Sequence, residues 1–193
     1  MPENRQLTSV QVDQKGASAH GDIVAGDKVE SHYHPAPASV GVVEQLLQKL
    51  QAEVATDEKV RHIIESLARY YIERSVDGVK GLKDKLDEAG RSTEYVDAVE
   101  KKEMFAKLLE KWSLYASAQE IFAHLLARAE HEFNYIIYPQ MKALKSFEVN
   151  QLVTDKIIVP TIAECGTTVF TINHGTAMGM IYWLAEQCFV RWH

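Results

Sequence analysis

Cysteine is scarce in this chain. Two residues, Cys165 and Cys188, among 193 are too few for a disulfide framework, which excludes a stapled secreted scaffold and fits a reducing compartment. Long hydrophobic runs are missing as well. The most apolar stretch, Ile157 to Ile172, is broken by Pro160, Glu164 and Gly166 and cannot span a bilayer. The first 15 residues hold no apolar signal-peptide core. Positive charge is not in excess: 21 Lys and Arg stand against 27 Asp and Glu, a formal net charge of −6. Nothing therefore draws the whole molecule toward nucleic acid or an anionic membrane, although room for a local patch remains. Neither a membrane nor direct nucleic-acid contact is expected, and a cytoplasmic location is. What is present is ordinary for a globular protein, 46% hydrophobic and 25% charged residues. A body of about 150 residues buries roughly 68–70% of its unfolded surface and needs no metal or disulfide to hold it.

Residues 1–40 differ from the rest: polar, rich in Gly, Ser and Ala, and without helical apolar spacing. Within them Gly21-Asp22-Ile23-Val24-Ala25-Gly26-Asp27-Lys28 repeats a Gly-Asp dipeptide around β-branched residues, the pattern of a short strand bounded by turns. Pro35 and Pro37 read as a stiff linker. Such a segment buries too little apolar area to offset its ordering entropy, so it is expected to be mobile or to order only against a partner. Gly21, Asp22, Ile23, Val24, Gly26 and Asp27 form the candidate interaction motif.

From residue 41 to 193 the pattern is helical. Val43, Leu46, Leu47, Leu50 and Val54 make an apolar stripe. Thr56 is expected to cap a second helix carrying Val60, Ile63, Ile64, Leu67 and Tyr71, in a hairpin with the first. A short helix over Leu82 to Ala89 should stop at Gly90. Ser92 then opens a long helix with Val96, Val99, Phe105, Leu108, Leu109 and Trp112. Ser117 and Glu120 have capping-box spacing for a helix to about Tyr138, and Ser146 starts another that Pro160 kinks or ends. The last helix, Thr176 to Glu186, is apolar nearly all round and belongs in the middle of the core. Cys188, Val190 and Trp192 alternate with Phe189 and Arg191 as a terminal strand would. The expected fold is all-α: a compact multi-helix domain with a short C-terminal strand and an extended Gly-Asp-containing N-terminal segment.

The chemistry-bearing patterns fail one by one. Gly21 to Lys28 misses the P-loop by an inserted Asp27, with no Ser or Thr after Lys28. Glu120, His124 and His131 share a helix side, but the two histidines are about 10.5 Å apart along the axis, too far for one ion. His32-Tyr33-His34 has no further ligand at metal spacing, and Cys165, His174 and Cys188 lack zinc-finger spacing. Arg128 precedes His131 by three positions and Arg61 adjoins His62, neither giving the arginine-to-histidine gap of helical RNases. No G-x-S-x-G occurs. Lys101, Lys102, Lys107 and Lys111 alternate with Glu100, Glu103 and Glu110 as a solvated, salt-bridged face. Trp112 and Trp183 read as core. No catalytic, cofactor-binding or metal residue is assigned.

Several ordered blocks carry a resemblance. They are Gly78-Val79-Lys80-Gly81-Leu82 with Lys85-Leu86 and Gly90-Arg91, then Phe105-Ala106-Lys107-Leu108-Leu109. Ser117 to Ala123, Phe133-Asn134, Tyr138-Pro139 and Lys156-Ile157-Ile158 with Pro160 follow, and Gly179 to Leu184 with Cys188 to Trp192 complete the set. Together, over residues 42–192, they resemble a C-terminal domain of the bacterial three-component ABC-ATPase conflict systems, the group that includes Lamassu-like antiviral systems. The Gly-Asp segment resembles a short motif found ahead of such domains. The resemblance implies a partnership with an SMC- or Rad50-like ABC ATPase and a middle component, the domain connecting them to an effector. Only about 40 non-enzymatic residues precede the domain here, so a separate effector or action by binding alone is expected. The chain is thus expected to be a non-enzymatic adaptor of an antiviral system. The alternatives are a small helical toxin or RNase with an unfamiliar site, and a scaffold in which several chains self-associate as a homo-oligomer.

Overall fold

The computed structural model describes residues 41–74 and 78–192. The Gly-Asp-containing segment over residues 1–40 lies outside them. Among the described residues there are eight α-helices: α1 (Val42–Thr56), α2 (Glu65–Ala68), α3 (Gly81–Glu88), α4 (Tyr95–Trp112), α5 (Ala116–His131), α6 (Ser146–Val153), α7 (Val159–Cys165) and α8 (His174–Glu186). The all-α reading holds.

The most apolar helix is the central one. Nine of the thirteen residues of α8 are buried, from Thr176 to Ala185, and it packs on α4 above all, then on α3, α5 and α7. Asn173 starts it by accepting a hydrogen bond from the Thr176 N–H at 2.9 Å, satisfying one of the first-turn donors that a helix leaves unpaired. Gly179 permits the closest approach: a Cβ there would stand 2.0 Å from the Lys101 carbonyl oxygen on α4. Around this crossing the aromatic rings meet mostly edge-on, Phe105 with Trp183 at 5.9 Å and Phe105 with Phe122 at 6.1 Å, the arrangement their quadrupoles favour. The stripe of α1 is buried through Val43, Leu46, Leu47 and Leu50, against α5 and α7, but its last member, Val54, is exposed near the helix end.

Two expectations fail for identifiable reasons. No strand forms among the described residues, so the expected short C-terminal strand over Cys188–Trp192 is corrected to an irregular tail. Alternating burial would mark a strand, but Phe189, Val190 and Trp192 are all buried. The tail starts with a helix closure: Cys188 takes φ +62°, its N–H bonds the Ala185 carbonyl and the Phe189 N–H reaches back to Leu184. This crossed pair satisfies the last carbonyls of α8 and turns the chain away. Phe189 then meets Tyr70 at 4.7 Å and Trp192 meets Phe133 at 5.1 Å. Rings seated in different pockets, not a ladder, set its course.

The second helix of the expected hairpin is also largely absent. Thr56 ends α1, and Asp57 takes φ +54° in another such closure, with Glu58 N–H bonding the Glu53 carbonyl. Residues 57–64 are a loop because their donors find partners elsewhere: Val60 N–H bonds the Leu114 carbonyl and Ile64 N–H the Gln119 side chain. Only α2 and a 3-10 turn over Arg69–Tyr71 remain of that helix.

Further on, α5 runs into a wide π turn over Glu132–Ile137, and α6 joins α7 through another over Thr154–Ile158. The two wide turns touch each other. Pro160 lies directly after the second wide turn, so the residue without an N–H sits where the regular hydrogen-bond pattern is already interrupted.

Candidate functional site

The chemistry-bearing side chains weighed and set aside above lie apart from one another. Glu120 is exposed. His124 lies 4.0 Å from Glu164, which is itself ion-paired with Arg128. His131 stacks on the exposed Tyr135 at 4.9 Å. Among the described residues no group of three or more His, Cys, Asp and Glu is gathered to hold a metal ion. Burial pushes the Cys165 thiol up to about 12, so it is inert near neutrality. The lysines of α4 are largely engaged: Lys101 with Asp97 at 2.5 Å, Lys102 with Glu186 at 3.1 Å, and Lys111 over the Trp112 ring. Gly21, Asp22, Ile23, Val24, Gly26 and Asp27 lie outside the described residues, as does His32-Tyr33-His34.

An apolar groove of about 480 Å³ opens between the 57–64 loop and the α4–α8 pair. Its floor is Leu109 and Trp183, both buried. Its rim is Ile63, Tyr71 and Leu114, each between 44% and 45% exposed. These three large apolar side chains border one concavity, so their exposure is not scattered, and the groove is the candidate site for docking another molecule. Arg61, His62 and Glu110 bring polar groups to the lining. Tyr71 meets Trp183 edge-on at 5.7 Å, and burial raises its phenol above the usual range despite the Ser113 hydroxyl acting the other way.

Besides the Val60–Leu114 backbone bond, the loop wall is held by one side chain. Gln119 on α5 is 1% exposed. Its Oε1 accepts from Ile64 N–H at 2.6 Å, and its Nε2 donates to the carbonyls of His62 at 3.0 Å and Ser113 at 2.7 Å. A buried amide with its groups satisfied fixes the backbone it touches, because moving the loop would strand polar atoms in an apolar setting. Ser117 does not cap α5: it is its second residue, and its Oγ donates to Glu53 at 2.6 Å while the Glu53 carboxylate also takes the Ser117 N–H at 3.1 Å. An acidic side chain of α1 thus neutralises the positive end of α5.

A second buried polar cluster joins α3 to the end of α8. Glu186 accepts from the Leu82 N–H at 2.6 Å and so caps α3. Lys85 is 1% exposed; its Nζ donates to the Ala185 carbonyl at 2.5 Å and lies 2.9 Å from Cys188 Sγ. Both the groove and this cluster escape a linear reading, since each assembles residues from distant segments. An interior Gln and Lys on otherwise apolar helix faces were the available signal.

Comparison with known proteins adds one match. A family model described as C-terminal domain 9 of the ABC-three component (ABC-3C) systems matches residues 81–192, which runs from the start of α3 to the end of the tail. No curated protein and no solved structure matches the chain.

Proposed function

The chain belongs to the family of C-terminal domain 9 of the ABC-three component systems, and from that premise we propose that it is a non-enzymatic adaptor of such a system. It couples an SMC- or Rad50-like ABC ATPase and a middle component to an effector, in an antiviral role in the cytoplasm. Family membership is the observation that carries this reading. The groove supports it by offering a place to dock. Its occupant is an apolar segment of a partner component of the same system, seated on Leu109 and Trp183 and oriented by the opposite charges of Arg61 and Glu110. The wall that Gln119 tethers needs no ordering when a partner arrives, which lowers the entropic cost of binding. The Gly21–Asp27 motif contributes a further contact.

Co-expression with the other components of the system, followed by affinity recovery on this chain, tests the proposal. The ATPase or the middle component should be recovered with the native sequence. Recovery should fall at least tenfold with Ile63→Glu plus Leu114→Glu, since a charge at each rim position must be desolvated on docking. Deleting residues 1–38 should weaken recovery in addition. Recovery of neither component with the native chain, or RNA or DNA cleavage by the purified protein that His131→Ala abolishes, would overturn the adaptor reading.

A further inference from the structure

The Lys85–Cys188 contact has a chemistry that docking does not use. Lysine is almost never fully buried unless paired. Among the described residues Lys85 meets a carbonyl and a sulfur, and no carboxylate. The sulfur belongs to a residue in an unusual conformation. Cys188 closes α8 at φ +62°, whereas the equivalent closure of α3 uses Gly90 at φ +67°. Glycine adopts this left-handed region without penalty and a residue with a Cβ does not. The fold therefore accepts strain at the position that puts a thiol against an amine. Cys188 is also partly exposed, in contrast to the buried Cys165, so a small oxidant can reach it.

We propose that Cys188 and Lys85 form a covalent crosslink when the protein meets a peroxide. In the first step hydrogen peroxide transfers an oxygen to Sγ. The O–O bond breaks, sulfur loses two electrons and becomes a sulfenic acid, and the other peroxide oxygen leaves as water with the thiol proton. In the second step the Lys85 nitrogen, having released one ammonium proton to solvent, attacks the oxidised sulfur. An S–N bond forms, the S–O bond breaks, and hydroxide leaves as water with another nitrogen-bound proton. Thiol, amine and peroxide together give a sulfenamide and two waters. The Lys85 ammonium sits 2.9 Å from the sulfur in the reduced protein, so the second step needs little movement and competes well with further oxidation. The bond would staple α3 to the end of α8 across 103 positions of sequence, restricting the unfolded chain as a long-range disulfide does.

Full-length protein treated with hydrogen peroxide is measured by intact mass and peptide mapping. The crosslinked chain should be about 2 Da lighter than the reduced one, the loss of two hydrogens. Peptides bearing Lys85 and Cys188 should be joined, and dithiothreitol should separate them. The thermal midpoint should rise on oxidation and return on reduction. Cys188→Gly, which relieves the left-handed position and so keeps the fold, should give no link and no shift. Lys85→Arg should leave a gain of about 16 Da or more on Cys188 without a link. Gains of 16 or 32 Da without crosslinking in the native sequence, a link about 14 Da heavier than the reduced chain, or an unreacted Cys188 under conditions that oxidise a model cysteine peptide would each overturn the proposal.

Discussion

Where α8 crosses α4, Gly179 brings two helices so close that one added carbon would sit inside the Lys101 carbonyl; where residues 57–64 pass α5, the chain hangs from the Gln119 amide. The first contact is made of shape. Its stability comes mainly from apolar area and interdigitated rings, with the Lys102–Glu186 ion pair at one end, and it has no slack. The second is made of direction. A few hydrogen bonds set where the loop lies, while apolar side chains nearby stay half in water. The difference explains why the groove exists at all: a loop held by packing would have closed over Leu109 and Trp183, whereas one held by polar tethers can stand off from them.

Four changes sharpen or break that contrast. Gly179→Val attacks the shaped contact, and since the obstruction is backbone, relief requires the helices to separate; a loss of about 3 kcal/mol or more is expected in urea unfolding. Gln119→Leu keeps the volume but strands one N–H and two carbonyls, which the loop can partly return to water. It should cost about 2 kcal/mol, with hydrogen exchange accelerated at residues 60–64 and unchanged across α8. Were α8 to loosen equally, the two contacts would be one cooperative unit and the contrast would fail. Glu53→Gln removes the charge facing the start of α5 while leaving an acceptor, and should cost about 1 kcal/mol, read from the same unfolding curves. Ile63→Ser on the rim should shift stability by no more than about 0.5 kcal/mol. Its effect should appear in partner recovery instead.

The parts legible in the sequence are those governed by local rules. An all-round apolar helix with no charge before Glu186 can only be central, and α8 is. Gly90 ends α3 because the left-handed closure there favours glycine. The stripe of α1 is readable as far as Leu50, where spacing and burial coincide, and not at Val54 near the helix end. Elsewhere tertiary partners overrode local pattern. Val60, Ile63, Ile64 and Leu67 have helical spacing, yet the hydrogen bonds to Leu114 and Gln119 draw the first part of that segment into a loop. Val96 fits a stripe on paper but is 69% exposed, and the contact is made by Ala98. The terminal strand failed because alternation was read where each ring has its own pocket. The wide turns did leave a trace. Buried Ala129, Phe133 and Ile137, and again Val149, Val153, Ile157, Thr161 and Cys165, recur strictly every fourth residue. In a regular α-helix each such step drifts by about 40°, so a long run of fours stays on one face only if the helix widens partway. The candidate groove had no comparable trace, its walls coming from three separated stretches of chain.

Each wide turn carries one residue more than the regular turn it replaces, which makes it a place where chain length can change without severing the helix. Removing one residue from Glu132–Ile137 would let regular hydrogen bonding run on, because the turn would close on one residue fewer and what lies beyond would keep its orientation relative to what comes before. Because this turn rests against Thr154–Ile158, the change would be felt at that contact, where the widened backbone would draw in. A single-residue deletion at either turn should therefore be tolerated better than one in the middle of the regular helix α4, where everything beyond would be swung by about 100°.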